Sequence, residues 1–282
     1  MPRHLVMCCG ARVEIEDSKV SVIDDPRTRH CPLSSSLYGF EEIDRSTVKK
    51  IIEIKMDKRG FATSKRVFTA EVLVPFGASE VIMSCLEEGL FDCAVTVCEG
   101  AGTVLASNPK LVQMIGAFLT GIIETTPVPE IIDKLKEHGA IILDEEKATI
   151  DQVEGVNLAA QRGYKKIAVT IAGFRSWEIA AVRGLELGAD VDITVLTVCT
   201  TRCEEQDVEN LLLSDLVWGC NSKIIRENVA SNAIFQLGVS IPVFALTMKG
   251  KRALLSHLMK LRDPLVAFRA KMPYLVSEKL PR

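Results

Sequence analysis

Four cysteines are candidate functional residues, and three of them lie at the ends of predicted strands. Cys98, Cys199 and Cys220 each follow a short apolar run that predicts a buried strand, and Cys31 precedes a proline. Ligands of open parallel sheets bind outside the carboxyl ends of the strands. Cys98, Cys199 and Cys220, together with Cys31, therefore predict a soft-metal or iron–sulfur site, or a reactive thiolate at a helix N-terminus.

The cysteine spacing leaves a second interpretation open. The chain has nine cysteines but no Cys-x-x-Cys pair, and no spacing matches a compact zinc or ferredoxin pattern. An odd number argues against a fully paired disulfide framework. Because free cysteines are among the most buried residues, most of the nine could instead pack in the core.

A glycine-rich segment after the strand at 94–97 is a candidate ligand loop. It consists of Glu99, Gly100, Ala101, Gly102 and Thr103. Its backbone amides could approach a phosphate or carboxylate. The full dinucleotide fingerprint is absent, because Leu105 replaces the third glycine and the following residues indicate a second strand. A tight hairpin turn is the alternative.

Basic and polar residues follow two later strands. Gly173 and Arg175 precede a predicted helix and could bind an anion or form a solvated loop. The other strand end carries Asn221, Ser222, Lys223 and Arg226. The two positive charges there oppose the dipole of the predicted helix, which indicates a small anionic ligand, unless they form salt bridges with Glu227 or Glu204. No histidine has a neighbourhood that assigns it a catalytic role, so catalytic residues remain unknown.

The second half of the sequence predicts the positioning elements. Four short apolar runs at 166–172, 191–198, 216–219 and 242–246 alternate with amphipathic helices. This alternation is typical of a doubly wound, Rossmann-like parallel sheet. We expect residues 148–282 to form this domain, with a final helix at about 250–261 and a tail at 262–282 of unreadable role.

The first half, residues 1–147, predicts a smaller α/β region. Alternating runs at 5–16 and 19–22 flank Asp17-Ser18 and predict an opening β-hairpin. Asp44 is a candidate cap of a helix that ends near Gly60, and a second helix follows Gly77. The apolar segment 111–123 predicts a buried helix.

Composition excludes several classes of protein. The 282 residues are 48% hydrophobic and 25% charged, with a net charge of -3. Neither the basic footprint of a nucleic-acid binder nor a polybasic membrane segment is present. Apolar runs fall short of the roughly 20 residues that span a bilayer. Without a signal-peptide pattern, we expect a cytoplasmic protein.

Several segments together resemble a known family. They are Cys-Pro-Leu at 31–33, Val-Cys-Glu-Gly-Ala-Gly-Thr-Val at 97–104, Ile-Asp-Gln-Val-Glu-Gly-Val at 150–156, and the segments 164–170 and 222–227. The sequence from about 5 to 261 resembles methanogenesis marker protein 8, known from methane-producing archaea. The resemblance implies an archaeal protein linked to methanogenesis, without a settled activity, cofactor or catalytic residue.

Departures from the family pattern bear on the thiols. That pattern has Asp in place of Glu99 and His in place of Cys199, and the Cys8-Cys9 pair and Cys203 are particular to this sequence. The resemblance therefore argues against a site on Cys199 and leaves Cys31, Cys98 and Cys220 as the better thiol candidates.

Three functions follow from these observations. The first is an accessory protein of methanogenesis or its cofactor chemistry that binds a small anionic ligand, a metal ion or an iron–sulfur centre at the strand ends. The second is a non-catalytic assembly factor that holds a methanogenesis enzyme or a second copy of itself. The third is a small-molecule transferase that binds a nucleotide-type ligand at the Gly173 loop.

Overall fold

Alternating apolar residues at the N-terminus build a small antiparallel sheet. In the computed structural model, which describes residues 2–116, 118 and 120–274, it contains strands β1 (Arg3–Cys8), β2 (Ala11–Glu16), β3 (Lys19–Val22) and β6 (Gly121–Thr125) in the order β3-β2-β1-β6. The opening hairpin at Asp17-Ser18 is confirmed. The predicted run 5–16 is two strands rather than one, because Cys9 and Gly10 both adopt positive φ and form a second tight turn.

A second sheet of eight strands forms the body of the protein. Its strands are β4 (Cys93–Cys98), β5 (Gly102–Ala106), β7 (Ile141–Ile142), β8 (Lys166–Ala172), β9 (Asp192–Val198), β10 (Leu216–Trp218), β11 (Phe235–Leu237) and β12 (Val243–Ala245). The order is β11-β12-β10-β9-β8-β4-β5-β7. The central strands β8, β9 and β10 are parallel, as predicted, and β4 from the first half of the chain pairs in parallel with β8, so strands from both sides of residue 148 share this sheet.

The predicted strand at 242–246 differs in direction. Strand β12 runs antiparallel to both β10 and β11. Residues 238–242 alone join β11 to β12, and a parallel connection needs a crossover of a dozen or more residues. The short loop therefore reverses the chain at this edge of the sheet.

Helices cover both faces of the large sheet. They are α1 (Pro32–Tyr38), α2 (Arg45–Arg59), α3 (Ala78–Glu87), α4 (Pro109–Gly116), α5 (Pro129–Glu137), α6 (Gln152–Gln161), α7 (Trp177–Gly188), α8 (Val208–Leu211) and α9 (Met248–Lys260). One core packs α3, α4, α5 and α9 on one face, and another packs α6, α7 and α8 on the opposite face. Helix α2 packs on the small sheet.

Two helix starts follow local rules that the sequence shows. The Asp44 carboxylate accepts a hydrogen bond from the Thr47 amide at 2.6 Å, and Asp151 accepts one from the Glu154 amide at 2.9 Å. Gly60 ends α2 in the left-handed conformation. The predicted cap at Asp44 is confirmed, and Asp151 caps α6 in the same way, because capping depends only on residues three positions apart.

One predicted helix is wrong in extent, and a second forms but differs in type. The segment 111–123 is not one helix: α4 ends at Gly116 and β6 begins at Gly121, while Ala117 and Leu119 lie outside the described residues. The helix expected after Ser222 is a single turn that continues as π and 3₁₀ turns up to Asn232. Across the described ranges, no helix has the length and apolarity to cross a membrane.

Candidate functional site

A cavity of about 600 Å³ lies at the carboxyl ends of the parallel strands. Its wall includes residues at the ends of β4, β8, β9 and β10, and the small sheet closes it from the other side. These wall residues are Val97, Ala172, Val198 and Trp218 from the large sheet and Met7, Gly121 and Ile122 from the small one. The position is the one at which open parallel sheets bind ligands.

Five cysteines line this cavity, which we call the thiol cavity. They are Cys8, Cys9, Cys31, Cys199 and Cys220. Cys9 lies in the β1–β2 turn, Cys31 precedes α1, and Cys199 and Cys220 directly follow strand ends. The predicted Cys31 and Cys220 thus share the wall of one cavity with Cys199 and with two cysteines of the opening hairpin.

The backbone at three of these cysteines is strained. Cys9, Cys199 and Cys220 have φ angles of 50°, 53° and 41°. A left-handed conformation costs a non-glycine residue roughly 1–2 kcal/mol, and such residues concentrate at functional sites. Only seven non-glycine residues have positive φ in the described part of the chain, so the thiol cavity holds nearly half of them.

Burial and mutual proximity govern the ionisation of the thiols. Burial raises the pKa of Cys199 to about 12 and also raises the pKa of Cys220. The Cys9 thiol and burial raise the pKa of Cys31. Cys31 lowers the pKa of Cys9, but Cys8 and burial outweigh it and raise that pKa to about 12. Thiols of this kind ionise only for a strong positive partner, such as a thiophilic metal ion.

Cys8 is different, because its pKa is lowered. The neighbouring Cys9 thiol is the largest cause, it outweighs burial, and the positive charge of Lys55 acts in the same direction. Lys55 also favours the thiolate of Cys199. It is 7% exposed, and its Nζ donates to the Phe118 carbonyl at 2.7 Å and to the Thr120 hydroxyl. Lys55 therefore places a buried positive charge beside the thiols.

Asn221 is the one predicted polar residue of its strand end that lies on the cavity wall. Its Nδ2 donates to the Thr28 hydroxyl at 3.0 Å and to the carbonyl of His30. Its Oδ1 is buried and has no partner within the described chain. Asn221 thus offers an acceptor for a hydrogen bond from a bound molecule.

Cys98 takes a different position from the other candidates. Its neighbours Val97 and Glu99 line the cavity, but Cys98 does not. Cys98 is fully buried in the core on the α3 face, with its Sγ 3.6 Å from Glu99 Oε2, and desolvation raises its pKa. The structure does not bring Cys98 together with Cys31 and Cys220.

The glycine-rich segment is the turn of the β4–β5 hairpin. Gly100 N donates to Thr125 Oγ1 at 2.7 Å, and Thr103 Oγ1 donates to Gln152 Oε1 at 2.9 Å. Gly102 has a φ of 72°, and a Cβ there would lie 2.3 Å from the Ala148 carbonyl oxygen. Ala101 is fully buried. These groups are committed to protein contacts, in agreement with the hairpin alternative.

The predicted cationic residues lie off the cavity wall. Arg175 donates to the Ile150 carbonyl at 3.0 Å and to Glu178 at 2.6 Å. Lys223 lies 3.7 Å from Glu227, as the salt-bridge alternative expects. Arg226 donates to the Cys220 carbonyl at 2.8 Å and so supports the turn that carries this thiol.

The two remaining candidates, Gly173 and Ser222, are packed against other parts of the protein. The space above Gly173 is filled, because a Cβ there would lie 2.4 Å from Cys203 Sγ. Ser222 is buried, and its hydroxyl accepts from the Ile225 amide at 3.4 Å. Neither residue lies on the cavity wall.

No preformed metal-ligand group was found in the described residues. Three or more His, Cys, Asp or Glu side chains do not converge on one point in residues 2–116, 118 and 120–274. The five thiols therefore line a shared space without already forming a coordination sphere.

The fold and the cavity define an α/β protein with a ligand-sized space at the strand ends of a mostly parallel sheet. The chain belongs to the family described as an uncharacterized protein conserved in archaea (DUF2099), which matches residues 4–259. It is 37% identical over 269 residues to an uncharacterized protein of Methanocaldococcus jannaschii, with 95% of this chain and 94% of the relative covered.

Proposed function

We propose that this protein is an accessory protein of methanogenesis or of its cofactor chemistry, and that it binds a thiolate-held centre in the thiol cavity. The centre is a soft metal ion or an iron–sulfur cluster. The observation that carries the proposal is the convergence of five cysteines on one cavity, three of them held in a left-handed backbone conformation. Resemblance to methanogenesis marker protein 8, and a relative from Methanocaldococcus jannaschii, support the methanogenesis link.

The donor set fits soft metals. Thiolates select Cu(I), Zn and iron–sulfur clusters over hard cations. Cys9 and Cys31 approach from the N-terminal region, and Cys199 and Cys220 from the strand ends. Binding would draw ligands from both walls together, which accounts for the lack of a ready-made coordination sphere. Lys55 would offset part of the negative charge of the thiolates.

An anionic ligand has weaker support. Lys55 is on the wall, but Arg175, Lys223 and Arg226 are outside it and have carboxylate or carbonyl partners. Glu99, which is on the wall, adds a negative charge that Arg66 balances from behind. We therefore rank the thiolate-held centre first and an anionic ligand at Lys55 second.

The test is metal and acid-labile sulfide content with an ultraviolet–visible spectrum, on protein purified without oxygen and reconstituted with iron and sulfide or with Zn²⁺. We expect stoichiometric metal in the wild type and its loss in the double variant Cys31→Ser/Cys220→Ser. Cys93→Ala, a core cysteine off the cavity, is the control and should keep the metal. A wild type that stays folded and metal-free under both conditions would overturn the proposal.

An assembly factor is the second candidate function, and a specific surface favours it. Helix α9 and the segment 261–274 expose Met248, Leu255, Met259, Val266 and Phe268. Residues 248–274 also contain seven Lys and Arg and one Asp. Lys249 and Lys260 pair with carboxylates of the protein body, and the other five basic residues leave a surface that suits an acidic protein partner. We expect Met259→Asp/Val266→Asp to abolish co-purification with such a partner and to leave metal content unchanged. If the double variant still co-purified with the partner, the proposal that this surface binds it would be wrong.

A further inference from the structure

We infer that the occupant of the thiol cavity is a small organic molecule whose apolar body carries the soft, thiolate-held metal centre. This inference rests on the proposed function and specifies its ligand. A bare metal ion or inorganic cluster is the competing occupant. The inference follows from the size of the cavity and from the large apolar part of its lining.

The cavity is larger than a thiolate-held ion requires. Sulfur ligands lie about 2.3 Å from a bound zinc ion, so an ion occupies only the space beside the thiols. The cavity measures about 600 Å³, and pockets for organic ligands typically measure roughly 300–1,000 Å³. Most of the volume therefore has no role in holding a bare ion.

Much of the remaining lining is apolar, and we call this part the apolar wall. It comes from the segment before α3, from α4 and from the β11–β12 loop. Its side chains include Val74, Pro75, Phe76, Val112, Ile115, Val239 and Ile241. Such a wall offers no ligands to a metal and no counter-charge to an anionic cluster, but it removes the apolar surface of an organic molecule from water.

This apolar wall is built and anchored. Trp218 Nε1 donates to the Phe76 carbonyl at 2.8 Å, which ties the segment before α3 to the end of β10. Val112 and Ile115 are nearly fully buried on α4. The space is thus shaped by fixed elements, as preformed small-molecule sites are.

Polar groups beside the thiols would orient such a ligand. Lys55 supplies a positive charge and Asn221 Oδ1 an unpartnered, buried acceptor. A few placed polar groups on an otherwise apolar lining are the pattern by which pockets fix the orientation of organic ligands. The ligand would therefore bring its thiophilic end to the cysteines and its body to the apolar wall.

Two arsenic(III) compounds separate the two occupants. Phenylarsine oxide condenses with two thiols, forms two As–S bonds and releases one water, with arsenic remaining As(III). Arsenite, As(OH)₃, condenses in the same way and releases one water for each As–S bond, but it has no apolar body. Each affinity is divided by that compound's affinity for dithiothreitol, which removes the intrinsic difference between the reagents.

Variants at two exposed valines supply the structural test. Val239 lies on the apolar wall and is 38% exposed, so Val239→Asp can charge the wall without burying a carboxylate deeply. Val67, 49% exposed and off the wall, gives the matched control Val67→Asp. We expect normalised affinity for phenylarsine oxide to exceed that for arsenite by about tenfold, because the phenyl group is buried. Val239→Asp should remove most of this preference and leave arsenite binding unchanged, and Val67→Asp should change neither.

The outcomes are distinguishable. Equal normalised affinities that Val239→Asp does not alter would overturn the inference in favour of a bare centre, and the proposed function would stand. Failure of both arsenicals to bind the folded, reduced protein, with no difference from Cys31→Ser/Cys220→Ser, would overturn the inference and the proposed function together.

Discussion

Arg66 and Glu99 form a buried salt bridge directly behind the wall of the thiol cavity. Arg66 Nε donates to Glu99 Oε1 at 2.5 Å, and their side chains are 0% and 3% exposed. Arg66 also donates to the Met114 carbonyl and lies over the Phe118 ring, 3.9 Å from its centroid. The pair therefore connects the end of β4 to the segment after α2 and to α4.

Removing the carboxylate should destabilise the protein strongly. Glu99→Leu leaves the Arg66 charge buried without an anionic partner, which costs about 3–5 kcal/mol of the free energy of unfolding. Urea denaturation followed by circular dichroism measures the change. The control is Asp190→Asn, which breaks an exposed pair with Lys165 and should have little effect. Equal losses in the two variants would show that burial of the Arg66–Glu99 pair does not matter.

His4 predicts a dependence of stability on pH. Its Nδ1 lies 2.6 Å from Thr125 Oγ1, and that hydroxyl accepts from the Gly100 amide. The hydroxyl hydrogen is thus available to Nδ1, and the buried ring is neutral with its proton on Nε2. Burial lowers the pKa of His4 in the folded protein.

The direction in which stability changes with pH follows from the difference between the pKa of His4 in the folded and in the unfolded protein. A histidine whose folded pKa lies below its unfolded value of about 6.5 binds its proton preferentially in the unfolded state. Its contribution to stability is therefore complete above about pH 6.5 and is lost as the pH falls towards the folded pKa. We expect His4→Leu to lose less stability than wild type between pH 7.5 and 5.5 in urea titrations. A wild-type slope in His4→Leu would contradict this account.

A side chain at position 102 should lower the stability of the fold through steric overlap, rather than block the binding of a ligand. Gly102→Ala combines a left-handed backbone with a Cβ that would lie 2.3 Å from the Ala148 carbonyl oxygen. Gly139→Ala has a similar φ of 84° with nothing within 4 Å of its Cβ. Gly139→Ala should lose about 1 kcal/mol of the free energy of unfolding, and Gly102→Ala clearly more. Denaturant titrations that give the same loss for both would show that the close approach to Ala148 is not limiting.

Local signals made the elements predictable, whereas the composition of the cavity depends on long-range contacts. The caps at Asp44 and Asp151 and the parallel strands follow from nearby residues. The Cys9-Gly10 turn was missed, because turns of this type normally contain Asn-Gly or Asp-Gly. Without that turn, the sequence could not place Cys8 and Cys9 opposite the ends of β9 and β10.

Two side chains of the site illustrate signals that the sequence did contain. Cys98 is the last residue of β4 and is fully buried in the core, as the packing interpretation of free cysteines expects, whereas Glu99 lines the cavity. Lys55 extends the buried stripe of α2 formed by Val48, Ile51 and Ile52. A lysine at helical spacing on an apolar stripe is unusual, and it could have identified the buried positive charge.

A comparison of Cys9, which has a strained backbone, with Cys93, which does not, distinguishes a binding role of the cavity cysteines from a packing role. Cys9 holds a left-handed turn that glycine adopts without steric cost, whereas Cys93 lies inside β4 and is fully buried. Cys9→Gly should therefore stay within about 1 kcal/mol of the wild-type free energy of unfolding, because relief of strain offsets the lost contacts. Cys93→Gly should lose about 2–3 kcal/mol through the cavity it creates and the glycine in a strand.

The two glycine variants should rank in the opposite order by their loss of Cd²⁺ binding. Cys9→Gly removes a thiol from the cavity wall and should weaken the binding of Cd²⁺, a thiophilic probe, about tenfold or more, whereas folded Cys93→Gly should bind it like wild type. Isothermal titration without oxygen measures both affinities, and urea titration measures both stabilities. If Cys9→Gly lost as much stability as Cys93→Gly and bound Cd²⁺ unchanged, Cys9 would be a packing residue, and the left-handed turn would have no connection with a ligand.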